Sequence, residues 1–251
     1  MKPMRHTFFC IDAHACGNPV RLVAAGGPTL PHVSMAERRA IFVQDHDWIR
    51  RALMFEPRGH DIMSGAILYP SVRTDCDVGV LFIEVSGCLP MCGAGTIGLV
   101  TIAIEEGLVV PRVPGQLALE TPAGRVDVHF TRSGTRVESV QLFNVPSYLS
   151  HTDVAVDVPG LGQLKVDIAY GGNFYAVVEP QAAWSGLQGV TTNTLVAHGQ
   201  ALRTALASVL EVQHPLDPRI AGVHHVLWCD SATDGADGRL AVFYGDKGID
   251  R

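Results

Sequence analysis

The sequence predicts a mixed α/β fold of the α+β kind, and three of its features carry that expectation. Short apolar segments bounded by Gly or Pro recur from one end of the chain to the other. Two stretches repeat apolar residues at helical spacing, the first behind a start signal, and a third is helical in length yet apolar on almost every side.

In chain order the strand-like segments are 6–11, 21–24, 66–69, 78–84, 117–120, 125–129, 139–144, 164–169, 174–178, 226–228 and 240–244. Most combine aliphatic, β-branched or aromatic residues and stop near Gly or Pro, which turn the chain. Among the helices, the first is announced by Ser34 and Glu37 at capping-box spacing, each able to satisfy the other's free N–H. It runs through Phe42, Trp48, Ile49, Ala52 and Leu53 towards Phe55, and Pro57 ends it. Another spans 194–212, with Leu195, Leu202, Leu206, Val209 and Leu210 near one face. Both read as amphipathic surface helices. The third holds Ile97, Leu99, Val100, Ile102, Ala103 and Ile104, meets its first acids at Glu105 and Glu106, and stops at Gly107. A helix with no polar side belongs inside the protein.

Composition narrows the function. The 251 residues, 47% hydrophobic and 18% charged, suffice for one large core or two modest ones. A net charge of -6, with 19 basic and 25 acidic residues and no long run of either, gives no electrostatic reason to expect nucleic acid or an anionic membrane as partner. A small molecule is the expected partner. The first apolar run, 7–11, is broken by Asp12 before reaching the length of a signal-peptide core, and no run approaches the ~20 residues of a membrane span. A cytoplasmic protein is expected, with Cys10, Cys16, Cys76, Cys88, Cys92 and Cys229 kept reduced. Four of these six read as buried small hydrophobes. Cys88 and Cys92 stand four apart with no CxxC pair or paired His nearby, so no metal is expected.

Cys92 sits where the apolar helix begins, in Met91-Cys92-Gly93-Ala94-Gly95-Thr96-Ile97-Gly98. Pro90 discourages helix at Leu89, and Gly93 and Gly95 let a ligand approach the backbone. The first turn of a helix presents unpaired N–H groups and about half a positive charge, which favours a thiolate and can receive a carboxylate. One element thereby offers a base and an anchor; the plainer alternative is that Cys92 only packs there and the glycines shape a turn. The CGAGT run matches neither a P-loop nor GxGxxG, so nucleotide binding is not expected.

The run Gly87-Cys88-Leu89-Pro90-Met91-Cys92-Gly93-Ala94-Gly95-Thr96-Ile97-Gly98 resembles the first catalytic-cysteine motif of the proline racemase family, particularly its 4-hydroxyproline 2-epimerase branch. Ile11-Asp12-Ala13-His14-Ala15-Cys16-Gly17-Asn18-Pro19-Val20-Arg21-Leu22, Phe55-Glu56-Pro57-Arg58-Gly59-His60-Asp61-Ile62-Met63-Ser64-Gly65, Tyr170-Gly171-Gly172-Asn173-Phe174-Tyr175 and Tyr244-Gly245-Asp246-Lys247-Gly248-Ile249-Asp250-Arg251 extend the likeness along the chain. The resemblance implies a diaminopimelate-epimerase-like fold of two similar lobes, each a curved sheet around a central apolar helix, here 1–130 and 131–251. It implies a cleft site in which two cysteines face opposite sides of the substrate α-carbon, with no cofactor. Cys92 would be one base, and backbone N–H groups of Gly93, Ala94, Gly95 and Thr96 would hold the substrate carboxylate. His225 and Asp250 match family residues that contact the ring nitrogen of an imino acid; without the family, His225 reads as a core histidine and Asp250 as a turn or cap.

Two departures stand out. Ala94 occupies the place where the motif usually has His, so a side-chain donor near the carboxylate is missing. The chain stops at Arg251, where family members continue into a Ser-Pro-Cys-Gly-Thr-Gly-Thr type motif bearing the opposing residue. On this reading the second lobe is incomplete and the 251 residues alone are inactive. The expected activity is cofactor-independent epimerisation of 4-hydroxyproline. A hydroxyproline dehydratase with one thiol base and a non-catalytic imino-acid-binding fragment stay open as alternatives, and a homodimer is compatible with all three.

Overall fold

The computed structural model describes residues 5–232 and 235–250. The chain forms two compact units, Met1–Val145 and Pro146–Arg251. The first contains β1 (Phe9–Ala15), β2 (Asn18–Ala25), α1 (Met35–Ile41), α2 (Asp47–Met54), β3 (Ser64–Tyr69), β4 (Val78–Glu84) and β5 (Gly87–Leu89). It continues with α3 (Gly93–Glu105), β6 (Gln116–Thr121), β7 (Gly124–Ser133) and β8 (Arg136–Phe143).

These strands make one mixed sheet in the order β1-β2-β3-β4-β6-β7-β8, with β5 paired to β4. The pairs β2–β3 and β4–β6 are parallel, which demands a crossover; α1 and α2 supply the first and α3 the second. Alternation along the central strands separates two apolar layers. Leu81, Ile83 and Cys88 join Met35, Phe42 and Leu53 beneath α1 and α2, whereas Phe82 and Val20 approach α3. Covered on both faces, β4 is buried at every position, which is why its sequence is almost continuously apolar.

The expectation that the apolar helix is internal is met. Leu99, Val100 and Ala103 of α3 are fully buried, and the helix touches β1, β2, β3 and β8. Since β1 and β8 are opposite ends of the strand order, the sheet curls around α3. Close approach is secured at Gly98, where a Cβ would lie 2.7 Å from that of Val20. Gly107, at φ 65°, ends the helix in the left-handed conformation.

The expected capping box is present: the Glu37 N–H donates to Ser34 Oγ at 3.3 Å and the Ser34 N–H to Glu37 Oε2 at 3.1 Å. The helix expected to follow it is not continuous. A π-helical turn, Phe42–His46, separates α1 from α2. It carries the chain past exposed Val43, Gln44 and Asp45, and Ile49 and Leu53 then regain the core. The expected lobe boundary at 130 is also corrected. Position 130 lies inside β7, which pairs with β8 through Phe143, so the unit closes at Val145. Of the six cysteines, only Cys76 and Cys88 are buried; Cys16 is exposed and the others are half-buried.

The second unit contains β9 (Tyr148–Val158), β10 (Gly162–Tyr170), β11 (Phe174–Val178), α4 (Thr192–Val209), β12 (Val223–Asp230), β13 (Arg239–Tyr244) and β14 (Gly248–Asp250). Its sheet runs β14-β13-β12-β11-β10-β9, and only β11–β12 is parallel, across the α4 crossover. Thr191 caps α4 by accepting the Thr194 N–H at 3.2 Å. Phe174, Val226, Trp228 and Phe243 are fully buried, and Phe243 fits against α4 only because position 199 is Gly. The succession β10, β11, helix, β12, β13, β14 repeats that of β1, β2, helices, β3, β4, β5, so the units share one plan. No described helix is long and apolar enough to cross a membrane.

The Gly98 contact is testable. Gly98→Val should destabilise the protein by about 2 kcal/mol or more, because Val20 is fixed by its strand and cannot swing aside. Urea unfolding midpoints of the two proteins give the measurement.

Candidate active site

Cys92 is the N-cap of α3. Its backbone is extended, at φ −143° and ψ 118°, and its Sγ accepts the Gly95 N–H at 3.1 Å. A donor aimed at a sulfur stabilises negative charge there, and the aligned peptides of α3 add to the effect. Glycine at 95 leaves the sulfur its place, because a Cβ would crowd it, standing 3.0 Å from Sγ and 3.2 Å from the Phe82 ring. At Gly93 a Cβ would meet nothing within 4 Å, so space is left in front of the helix start.

Of the four residues expected to offer backbone donors, two are spent. Thr96 directs both its N–H, at 2.9 Å, and its hydroxyl, at 2.7 Å, to the Cys92 carbonyl, and it is fully buried. Thr96 therefore holds the cap and presents no donor to a ligand, which corrects its expected role. The Gly95 N–H is directed at the sulfur. Gly93 and Ala94, half-buried at the first turn, carry the N–H groups that helix geometry leaves without an intrahelical acceptor. The loop before the cap is braced by the turn between β6 and β7, where the Ala123 N–H donates to the Pro90 carbonyl at 3.1 Å. No local sequence signal marks that contact.

Cys88, four residues earlier, is chemically distinct. Burial pushes its thiol up to about 12, and it packs beneath α1 and α2. Two cysteines of one motif thus have opposite environments.

In the second unit, His225 and Asp250 lie on one face of the sheet, opposite α4. Val226 pairs with Phe243, which faces α4, so the neighbouring His225 and Tyr244 point the other way; Val242, paired with Asp250, does so too. Ring contacts agree: His225 lies 5.0 Å from Tyr175 and 6.4 Å from Tyr244. His225 is buried, and loss of hydration, with smaller contributions from His224 and Arg203, pushes its imidazole down to about 3. Its Nδ1 is buried without a hydrogen-bond partner among the described residues. A neutral ring with an open nitrogen can serve a ligand, whereas a histidine kept only for packing would have both nitrogens satisfied or apolar substitutes would do as well.

A surface recess of about 720 Å³ in the first unit is lined by other residues, including Asp75, Asp77, Arg112, Arg125 and Asp127. These neutralise one another, Arg112 with Asp77 at 2.7 Å and Arg125 with Asp127 at 2.7 Å and Asp75 at 3.1 Å. The recess offers little uncompensated charge.

Comparison with known proteins shows what the chain is similar to. The family described as proline racemase matches residues 10–251. A 4-hydroxyproline 2-epimerase of Rhizobium rhizogenes is 70% identical over 249 residues, 99% of this chain and 75% of its own length. That of Shewanella loihica is 53% identical over the same shares. Among solved structures, a probable proline racemase from Agrobacterium radiobacter K84 with bound carbonate superposes with a TM-score of 0.88 at 32% identity, over 97% of this chain and 72% of that one. A hydroxyproline epimerase from Agrobacterium vitis with bound trans-4-hydroxy-L-proline does so with a TM-score of 0.87 at 26% identity, over the same shares.

The buried imidazole makes stability depend on pH. Its folded value lies below the ordinary 6.5, so between about pH 6.5 and 3 the unfolded chain holds a proton that the folded chain does not. Stability should fall through that window as pH drops, by up to about 1.4 kcal/mol per pH unit from this group. Urea titrations at pH 7 and pH 4.5 should show a shallower loss for His225→Asn than for the parent; parallel losses would contradict it.

Proposed function

The chain belongs to the proline racemase family, and on that premise we propose that it epimerises 4-hydroxyproline at the α-carbon, interconverting trans-4-hydroxy-L-proline and cis-4-hydroxy-D-proline. The observation that carries the proposal is the Cys92 sulfur, capped by the Gly95 N–H at the start of α3.

The chemistry follows from that placement. A substrate carboxylate received by the Gly93 and Ala94 N–H groups would set its α-carbon beside Sγ. Cys92, as thiolate, takes the α-proton. The electron pair left behind spreads onto the carboxylate oxygens, so the same donors bind the transition state more strongly than the ground state. With Ala94 lacking a polar side chain, backbone donors bear that task at this position. Inversion then requires a second proton-transferring group on the opposite face, since a single base would return the proton to the side it left. We read that group as a second thiol, as in the family.

Asp250 and His225 are assigned to the ring nitrogen. The carboxylate suits a secondary ammonium, and the buried Nδ1 of His225 supplies an oriented polar contact beside it. With His225 pushed down to about 3, its ring stays neutral and does not repel that ammonium. Base and anion site both come from the chain's own atoms, so the proposed reaction uses no cofactor. It leaves C4 and its hydroxyl untouched. A cytoplasmic step in breaking down imported hydroxyproline is the setting we propose.

Incubation of the full-length protein, which carries both proton-transferring groups of the proposed mechanism, with trans-4-hydroxy-L-proline in D2O tests the reading by proton NMR. Deuterium should enter at the α-carbon as the cis-D isomer accumulates, and Cys92→Ser should slow the exchange by about two to four orders of magnitude. Undiminished exchange in Cys92→Ser would remove Cys92 from the mechanism. A borohydride-trapped product lacking the hydroxyl would replace epimerisation with dehydration.

A further inference from the structure

We propose that Arg39 and Arg50 are positioning residues for Cys92, acting through the carbonyls of the β4–β5 hairpin; the proposal rests on Cys92 being the base. Both arginines belong to the helices on the face of the sheet away from α3. Arg50 Nη1 donates to the Glu84 carbonyl at 2.8 Å and, more weakly, to that of Val85 at 3.4 Å. Its Nε and Nη2 are held by both oxygens of Asp47, at 2.6 and 2.9 Å, so the guanidinium has one orientation. Arg39 Nε donates to the Cys88 carbonyl at 2.6 Å.

Taken with the bonds already described, carbonyls at Glu84, Cys88, Pro90 and Cys92 are each engaged by a donor from a different place: α2, α1, the β6–β7 turn and α3. The peptides between them have little freedom to rotate. The sulfur's position relative to a bound α-carbon is thereby fixed from behind the sheet, and a shift of about 1 Å at a reacting atom can cost on the order of 100-fold in rate. Lysine cannot reproduce the fork by which Arg50 meets the Glu84 carbonyl and Asp47 together, and its flexible ammonium holds the Cys88 carbonyl less rigidly than Arg39 does, so charge alone is not what these arginines supply.

The test uses Arg39→Met, Arg39→Lys and Arg50→Lys. In each folded variant the turnover number for α-proton exchange should fall about 10- to 100-fold. KM should change less than about threefold, because the carboxylate donors belong to α3; Arg39→Lys should recover part of the Arg39→Met loss. In parallel, carboxymethylation of Cys92 by iodoacetate at pH 7, followed by peptide mass spectrometry, should slow as the sulfur leaves the Gly95 N–H. Wild-type turnover and wild-type Cys92 labelling in variants whose Tm falls would reduce the arginines to fold support and overturn the proposal. If the parent shows no exchange with hydroxyproline, the functional reading fails, while slower Cys92 labelling in the variants still supports positioning and unchanged labelling still refutes it. Should Arg39→Met fail to fold, the two lysine variants decide by the same labelling.

Discussion

The 3.1 Å contact between the Gly95 N–H and Cys92 Sγ forms only while several conditions hold together. Residue 92 must stay extended, residue 95 must lack a side chain, and the first turn of α3 must be clamped by Thr96 on the Cys92 carbonyl. The sheet that curls around α3, and the absence of a Cβ at Gly98 against Val20, keep that helix in place. A sulfur so held faces a donor and the positive end of a helix, the environment that favours a thiolate.

The same geometry divides labour among the helix-start groups. Donors are few at a helix start, and here one serves the sulfur while another closes the first turn. Helix geometry leaves the N–H groups of Gly93 and Ala94 without an intrahelical acceptor. The second unit holds groups of another kind on one face of its own sheet, a neutral buried imidazole whose Nδ1 has no hydrogen-bond partner among the described residues and a carboxylate.

How much of this was legible in the sequence depends on range. The α3 helix was plain because its apolar run has no polar side, and the capping box at Ser34 because its partners are three residues apart. Short strands such as β5 and β14 carry too few residues to show a period, and β9 is an edge strand whose polar residues hide its alternation. The role of Thr96 could not be read from the motif, since the letters do not say whether an N–H is already spent. Arg39 reaches a carbonyl 49 residues away, and no local pattern encodes such a contact. The boundary expected at 130 fell inside β7 for the same reason: pairing with β8 is not visible before the strands meet.

The interaction at the centre of this account can be perturbed without unfolding the helix. In Gly95→Ala the added methyl would stand 3.0 Å from Sγ, displacing the sulfur by a few tenths of an ångström. The helix itself gains up to ~1 kcal/mol of intrinsic propensity. The measurement is the rate of Cys92 alkylation by iodoacetamide at pH 6.5, with exposed Cys16 of the same molecule as internal reference. A severalfold slower reaction at Cys92, with Cys16 unchanged, is the predicted result; an unchanged ratio between the two cysteines would contradict it.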